Sequence, residues 1–184
     1  MKILHYNLGL PPYRTGGLTK YSINLMTKQV ESLHKVSLLY PGHFTLSKKT
    51  SIKSNKEFHG VKIYEIVNPL PVSLLGGIVD PEKYRGNVHP EDVYMRFLLS
   101  EKPDIIHIHT LMGLHRDFFL AAKQLNIKMV FTTHDYFGIC PKVNLIDYFG
   151  EICSGNNEGK KCVVCNQNAY SLNLIYVMQS RAYR

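Results

Sequence analysis

The sequence lacks the features that would assign it to a membrane, secreted or nucleic-acid-binding class. No apolar run reaches the roughly 18 residues that a membrane-spanning helix needs. The start, MKILHYNLGL, is too short and too polar for a signal peptide. There is no RNA-binding motif with interleaved aromatic and basic residues, no recognition-helix pattern and no paired CxxC finger. We therefore expect a cytoplasmic protein that does not bind nucleic acid.

Acidic residues and cysteines are both scarce. The 14 Asp and Glu are outnumbered by 22 Lys and Arg, which gives a formal charge of +8 and a pI near 9.3. Such a balance suits phosphate-bearing partners such as nucleotides or lipid head groups, or reflects a generally basic surface. All 4 cysteines lie within residues 140–165. Because cytoplasmic thiols usually stay reduced, the cluster favours a metal over disulfides.

Strand-like and helix-like segments alternate along the chain. Apolar runs predict strands at 2–8, 35–42, 61–68, 104–110 and 127–133, and three- to four-residue periodicity predicts helices at 18–33, 89–103, 115–126 and 168–184. This alternation predicts an α/β fold with a doubly wound parallel sheet and helices on both faces. Residues 43–60 are predicted to form a mobile basic loop, and 69–81 a loop interrupted by Pro and Gly. The chain ends within the last predicted helix, so we expect a fragment of a longer protein.

A glycine pair lies between the first strand and the first helix. In RTGGLTKYSINLM, Gly16 and Gly17 allow the backbone to approach a ligand closely, and the helix N-terminus offers unpaired N–H groups. A phosphate group fits there, because doubly wound sheets bind ligands at the carboxyl ends of their strands. The pattern is neither GxGxxG nor Walker A, so a plain tight turn is the alternative. Arg14 is a candidate contact for an anionic acceptor, or an ordinary surface arginine.

Three motifs follow in order along the chain: GGLTKYSINL, then PDIIHIHT, then FTTHDYFGICP. Together they resemble the N-terminal domain of the family-4 glycosyltransferases, which are retaining GT-B enzymes. The likeness runs from Met1 to at least Cys165. It implies a Rossmann-like domain, one half of a GT-B fold, that mainly holds the acceptor, while a second domain holds the nucleotide sugar. We expect residues 1–184 to be the acceptor-side domain and the donor-binding domain to be absent.

The resemblance also implies roles for individual residues. Gly16 and Gly17 match the loop that faces the donor diphosphate, and His134 matches the catalytic histidine beside the transferred sugar. His109 matches the second histidine of the HIH run and is expected, with Asp135, to bind the acceptor; Asp135 is alternatively placed to orient His134. Backbone N–H groups and a histidine stabilise charge that develops on the leaving diphosphate, so catalysis needs no metal cofactor in this family.

His107 stands two residues before His109. We interpret it as a core histidine on the opposite side of the strand, because His109 lies nearer the strand end.

The cysteines follow the spacing Cys140-x12-Cys153-x8-Cys162-x2-Cys165, with a single CxxC. Four cysteines can close a tetrahedral structural zinc site, and we predict one here, within a cysteine-rich loop insert at 138–166. Reduced thiols, disulfides and an iron–sulfur cluster remain alternatives. No signature of a thiol enzyme surrounds Cys140, so it is a poor candidate nucleophile.

These inferences lead to one main functional hypothesis. The chain is expected to be part of a hexosyltransferase-type enzyme that transfers a sugar from a nucleotide sugar to a glycan or lipid-linked acceptor in surface polysaccharide biosynthesis, inactive alone for lack of the donor domain. One alternative is a stand-alone Rossmann-like ligand-binding module with a structural metal loop, and another is a thiol- or metal-dependent hydrolase. The basic stretch 47–62 suggests peripheral contact with the inner face of a membrane, or simply a solvated loop.

Overall fold

The computed structural model describes residues 1–47, 49–73, 76–79, 89–155 and 159–183. Over these ranges the strands are β1 (Lys2–Tyr6), β2 (Lys35–Pro41), β3 (Ser51–Phe58), β4 (Val61–Val67), β5 (Ile105–Ile108) and β6 (Lys128–Phe131). The helices over the same ranges are α1 (Gly17–Glu31), α2 (Glu91–Glu101), α3 (Arg116–Gln124), α4 (Lys160–Cys165) and α5 (Leu172–Met178).

The strands form one sheet in the order β3-β4-β2-β1-β5-β6. Every neighbouring pair is parallel except β3 with β4, which is antiparallel. The chain adds strands on one side of β1 and then crosses back to add β5 on the other side. The strand order therefore reverses between β1 and β5, and ligands of doubly wound folds bind in the crevice at the carboxyl ends of such a strand pair. The predicted Rossmann-like α/β class is confirmed.

Helices cover both faces of the sheet. On one face, Leu4 and Tyr6 of β1 pack in the larger core with Leu98 of α2 and Phe118 of α3, all of them buried. On the other face, Met26 of α1 packs with apolar residues of β2 and β4. Burying a side chain of this size contributes roughly 1.5–3 kcal/mol, so these two layers account for most of the stability.

Beside that apolar contact, the face under α1 becomes polar. Ser22 of α1 is buried, and its hydroxyl accepts a hydrogen bond from the Asn7 amide at 2.8 Å, just beyond the end of β1. Three histidines, described below, continue this polar strip across β1 and β5. The sheet is thus apolar where it meets α2 and α3, and partly polar where it meets α1, next to the crevice.

The predicted mobile loop at 43–60 is wrong over much of its length. Ser51–Phe58 is strand β3, which pairs antiparallel with β4 at the edge of the sheet. Residues 53–57 are exposed, so this edge strand carries polar and charged side chains instead of the apolar alternation that signals a half-buried strand. Charged edge strands are common, because they discourage pairing with other chains.

The last predicted helix is shorter than expected. α5 covers Leu172–Met178, and its N-terminus is capped by Ser171, whose hydroxyl accepts from the Leu174 N–H at 3.3 Å. The predicted loop at 69–81 lies partly outside the described residues; within them, Val72 and Ile78 are buried. No helix in the described part of the chain is long and apolar enough to cross a membrane.

Candidate functional site

Four histidines converge where β1, β5 and β6 end. His5 lies on β1, directly beside His107 of β5 in the parallel register, and His109 follows β5. His134 comes three residues after β6. Neighbouring rings lie close together: the centroids of His107 and His109 are 4.2 Å apart, and those of His109 and His134 are 5.4 Å apart.

The interpretation of His107 as a core residue facing away from His109 is wrong. Residues two apart on a strand share a face, so both rings point toward α1. The burial is also the reverse of the expectation, because His107 is only half-buried whereas His109 is 1% exposed. His107 contacts the Thr132 hydroxyl at 2.8 Å, beside the end of β6.

Three of the histidines form a hydrogen-bonded chain that begins on α1. The side-chain oxygen of Gln29 lies 2.7 Å from Nε2 of His5, whose Nδ1 lies 2.9 Å from Nε2 of His109. Nδ1 of His109 lies 3.2 Å from Nε2 of His134. These hydrogen bonds thus run from the middle of the sheet to the loop after β6. They end at His134, the residue that is expected to be catalytic.

The first member of this chain sets the tautomer of every ring. An amide oxygen only accepts, so Nε2 of His5 carries the proton and Nδ1 of His5 must accept. His109 then donates from Nε2 and accepts at Nδ1, which requires His134 to donate from Nε2. In the neutral form of His134, Nδ1 is then left as a hydrogen-bond acceptor.

Burial keeps the inner rings neutral. Burial lowers the pKa of His5 to about 4, although the hydrogen bond with Gln29 partly opposes it. Burial, together with the neighbouring histidines, lowers the pKa of His109 to about 3. At neutral pH both rings are therefore uncharged, and these two rings transmit hydrogen-bond direction without holding a positive charge.

The same contacts bear on metal binding. Ligand atoms of His5, His107 and His109 lie within 4.8 Å of one another, a spacing that a metal ion can bridge. Both nitrogens of His5 and both of His109 are already used in the hydrogen bonds above, however. The cluster is therefore accounted for as a hydrogen-bonded chain.

The glycine pair lies next to His134 through Tyr21 of α1. The Tyr21 ring packs edge-on against His134 with centroids 4.9 Å apart, and it lies one helical turn after Gly17. Gly16 has φ of 110°, a backbone conformation that side-chain-bearing residues rarely adopt. A Cβ at Gly16 or Gly17 would meet no atom within 4 Å, so the space beside the glycine pair is open, and no side chain caps the first turn of α1.

Asp135 and Arg14 lie apart from the histidine chain. The Asp135 carboxylate accepts from the Phe137 N–H at 3.0 Å, which shapes the turn that follows. Arg14 lines a cavity of about 660 Å³ at the ends of β1 and β2, bounded on its outer side by β3. His134 instead contacts His109, whose Nδ1 lies 3.2 Å from Nε2 of His134, and His109 is 1% exposed.

That cavity is basic. Lys53, Lys56 and Arg181 line it together with Arg14. Glu57 and Glu65 supply the opposing charge, and Glu65 is paired with His43 at 2.6 Å. Burial alone would raise the pKa of Glu65, but hydrogen bonds from His43 and Asn55 outweigh it and lower that pKa, so the carboxylate is ionised. Four cations against two anions leave the cavity attractive to an anionic ligand.

The four cysteines line a second cavity, of about 430 Å³, that includes neither His134 nor Asp135. All four are free and partly buried. Burial and the three neighbouring thiols raise the pKa of Cys162. The cysteines and the His-Asp pair are therefore neighbours in sequence but line different parts of the structure, which removes the geometric basis for the hydrolase alternative.

A comparison with known protein families identifies the family of this chain. The family profile of Glycosyltransferase Family 4 matches residues 15–149, which is more than half of the 184 residues. The chain belongs to glycosyltransferase family 4. No curated protein matches the chain. The matched range spans the glycine pair, the histidines after β5 and β6, and the first cysteine. The family-4 N-terminal domain expected from the three motifs is therefore confirmed, and with it a glycosyltransferase role.

Sequence reasoning missed three contributors to this family-4 site: His5, Gln29 and Tyr21. His5 lies within the predicted strand at 2–8 and Tyr21 within the predicted helix at 18–33, and neither pattern indicates a functional role. Tyr21 is 46% exposed. One signal existed for Gln29, because it follows the buried Ser22 and Met26 at seven and three residues and so shares their face of α1. Nothing in the sequence indicated that this face meets a histidine.

Proposed function

We propose that this family-4 domain is the acceptor-side part of a retaining hexosyltransferase. It transfers a sugar from a nucleotide sugar to a glycan or lipid-linked acceptor, in the synthesis of a surface polysaccharide. The observation that carries the proposal is the contact between His134 and Tyr21, one turn from the glycine pair. A histidine held by a hydrogen-bonded partner thereby lies next to a helix N-terminus that no side chain caps.

The glycine pair suits the leaving diphosphate of a nucleotide sugar. The N–H groups at the start of α1, which no side chain caps, and the positive end of the helix dipole favour a negative group. In a retaining transfer the bond between the sugar and the diphosphate breaks, and negative charge develops on the diphosphate. Donors already aimed at this position stabilise the charge without reorganising, which is the usual source of a large rate enhancement.

His134 suits a sugar hydroxyl. Its Nδ1 is the acceptor end of the chain from Gln29, so a hydroxyl of the transferred sugar or of the acceptor donates to it. The neutral rings behind it matter, because a cation at this position would oppose the oxocarbenium-like charge that develops on the sugar. His109 acts through His134 as a positioning residue, and Asp135 shapes the loop that carries His134.

The cavity beside Arg14 suits the acceptor. Its net positive lining favours an anionic group, such as the phosphate of a lipid-linked acceptor or the carboxylate of an acidic glycan. Lys53 and Lys56 of this lining lie on the exposed edge strand β3, and contact with an anionic membrane on the cytoplasmic side follows if the acceptor is lipid-linked. Binding of the protein to anionic vesicles, compared with neutral ones, tests that contact.

The test is a transfer assay with the purified gene product and a panel of nucleotide sugars, using lipid and glycan extracts as acceptors. We expect one nucleotide sugar to be consumed and the product to keep the anomeric configuration of the donor, which NMR reports. Lys53→Glu and Lys56→Glu are expected to raise KM for the acceptor by about tenfold, as expected for about 1.4 kcal/mol of lost attraction, without changing KM for the donor. Lys128→Glu, on β6 away from the cavity, is the matched control.

Two outcomes would contradict the proposal. Inversion of the anomeric centre would exclude a retaining mechanism. Binding of a glycan without consumption of any nucleotide sugar would favour the stand-alone ligand-binding module instead.

A further inference from the structure

The cysteine segment (residues 138–166) brings four thiols from three separate pieces of backbone to one cavity. Cys140 ends the turn after Asp135, and Cys153 follows the short bridge between Ile146 and Ile152. Cys162 and Cys165 are three residues apart on α4 and so share one face of that helix. All four line the same cavity of about 430 Å³.

Apolar burial does little to hold this segment together. Its large apolar side chains are mostly exposed: Phe149 is 81%, Ile152 83% and Val163 70% exposed. Among the described residues of the segment, Val143 is the buried hydrophobic residue, and it packs against the main domain. Three short backbone pieces with so little shared core need another source of order, and a metal ligated from all three supplies one.

The charges around the cavity favour a metal with four thiolates. A zinc ion with four cysteine thiolates carries a net charge of −2. Lys142 and Lys161 line the same cavity and offset that charge, while Asp147 is the acidic residue among its lining. A reduced, uncharged set of thiols would gain nothing from two lysines.

The distances between the four sulfur atoms show that they must move closer together to bind one metal ion. No three of the four sulfur atoms lie within 4.8 Å of one another in the described chain. Zinc–sulfur bonds of about 2.3 Å in a tetrahedron place the sulfurs about 3.8 Å apart. Ligation therefore draws the three pieces inward and orders them. We propose that Cys140, Cys153, Cys162 and Cys165 bind one structural zinc ion that staples the cysteine segment to the domain.

The experiment is a metal analysis of the purified protein, with variants at one helix. We expect one zinc per chain, and loss of at least nine-tenths of it in both Cys162→Ser and Cys165→Ser. Val163→Ser, between these two cysteines on the exposed side of α4, is the matched control and is expected to keep its zinc. Cobalt added after removal of zinc is expected to produce the thiolate-to-cobalt charge-transfer absorption of a tetrahedral site.

Hydrogen exchange separates a structural zinc from a loosely bound one without relying on variants that fold poorly. Chelation of the wild-type protein is expected to speed amide exchange across 138–166 and to leave β1 and β5 unchanged, and added zinc is expected to restore it. Iron with inorganic sulfide, intramolecular disulfides detected by mass spectrometry, or four reactive thiols with no bound metal would each overturn the proposal. These outcomes do not depend on transferase activity.

Discussion

Gln29→Met tests whether the hydrogen-bonded chain fixes the tautomer of His134. Methionine is close in size to glutamine but offers no comparable acceptor, so Nε2 of His5 loses its partner at 2.7 Å. His5 is fully buried, and an orphaned buried N–H costs about 1–3 kcal/mol of unfolding free energy. Without the Gln29 acceptor, His5, His109 and His134 can adopt the reversed tautomers, in which Nδ1 of His134 carries the proton.

The effect on transfer follows from the same bond. A net hydrogen bond is worth about 0.5–1.5 kcal/mol, so its loss allows the reversed tautomers to compete within about a factor of ten. A protonated Nδ1 of His134 no longer accepts from a sugar hydroxyl, and we expect kcat to fall by about two- to tenfold. Gln29→Glu keeps an acceptor at this position, so at pH 8 it is expected to retain the wild-type tautomer of His134.

Nitrogen-15 NMR of the histidine rings reports each tautomer directly, and urea unfolding reports the stability. Lys28→Met, one residue earlier on the exposed side of α1, is the matched control. It removes only an exposed pair with Glu31, so it is expected to leave the tautomer unchanged and to change the stability by no more than about 0.5 kcal/mol. The reasoning fails if Gln29→Met lowers stability yet leaves the tautomer of His134 and the transfer rate unchanged, because Gln29 would then be only a core residue.

Three further predictions concern other parts of the site. Gly17→Ala should leave Tm unchanged or raise it, because its Cβ meets no protein atom, but it should increase KM for the nucleotide sugar. Gly16→Ala should cost about 1–3 kcal/mol of stability, because Gly16 has a φ of 110°. Unchanged KM in both variants would exclude the glycine loop as the diphosphate site. The free energy of unfolding, measured in urea, should fall as pH drops from about 6.5 toward 4. His5 and His109 stay neutral in the folded protein because their pKa values are lowered, but they gain protons in the unfolded protein. Each contributes a slope of about 1.4 kcal/mol per pH unit, and a flat profile would contradict this prediction. Tyr94→Phe should cost about 1–3 kcal/mol in the same assay, because it removes the hydroxyl that partners a buried histidine ring nitrogen, and an unchanged midpoint would refute that contact.

The sequence was sufficient for most of the architecture. Apolar runs located β1, β2, β4 and β5, because strands buried within a parallel sheet read as largely hydrophobic segments. The edge strand β6 was located in the same way, since Met129, Val130 and Phe131 form an apolar run although they are exposed. β3 was not predicted, because an edge strand of polar residues has no such signal. β4 supplies the hydrogen bonds of β3, and most side chains of β3 face water. Pairing of that kind depends on tertiary contacts that local patterns do not contain.

The site was only partly predictable. The motif around His134 identified a residue, but not the support behind it, because that support joins β1, α1 and β5 across up to 104 residues of sequence. The error at His107 was different in kind: the spacing of two residues already placed it on the face of His109. Roles for the glycine pair, His134, Asp135, Arg14 and the cysteines remain predictions that the experiments above address.

The most direct test of the account compares the rate of sugar transfer by His134→Ala with that of the wild-type gene product at saturating nucleotide sugar. His34→Ala, at a partly buried position at the end of the turn after α1 and outside the hydrogen-bonded histidines, serves as the matched control. The account predicts a fall in kcat of at least about a hundredfold for His134→Ala, the lower range for losing one group that stabilises a transition state, and no change for the control. A His134→Ala enzyme that folds and transfers sugar at the wild-type rate would contradict it.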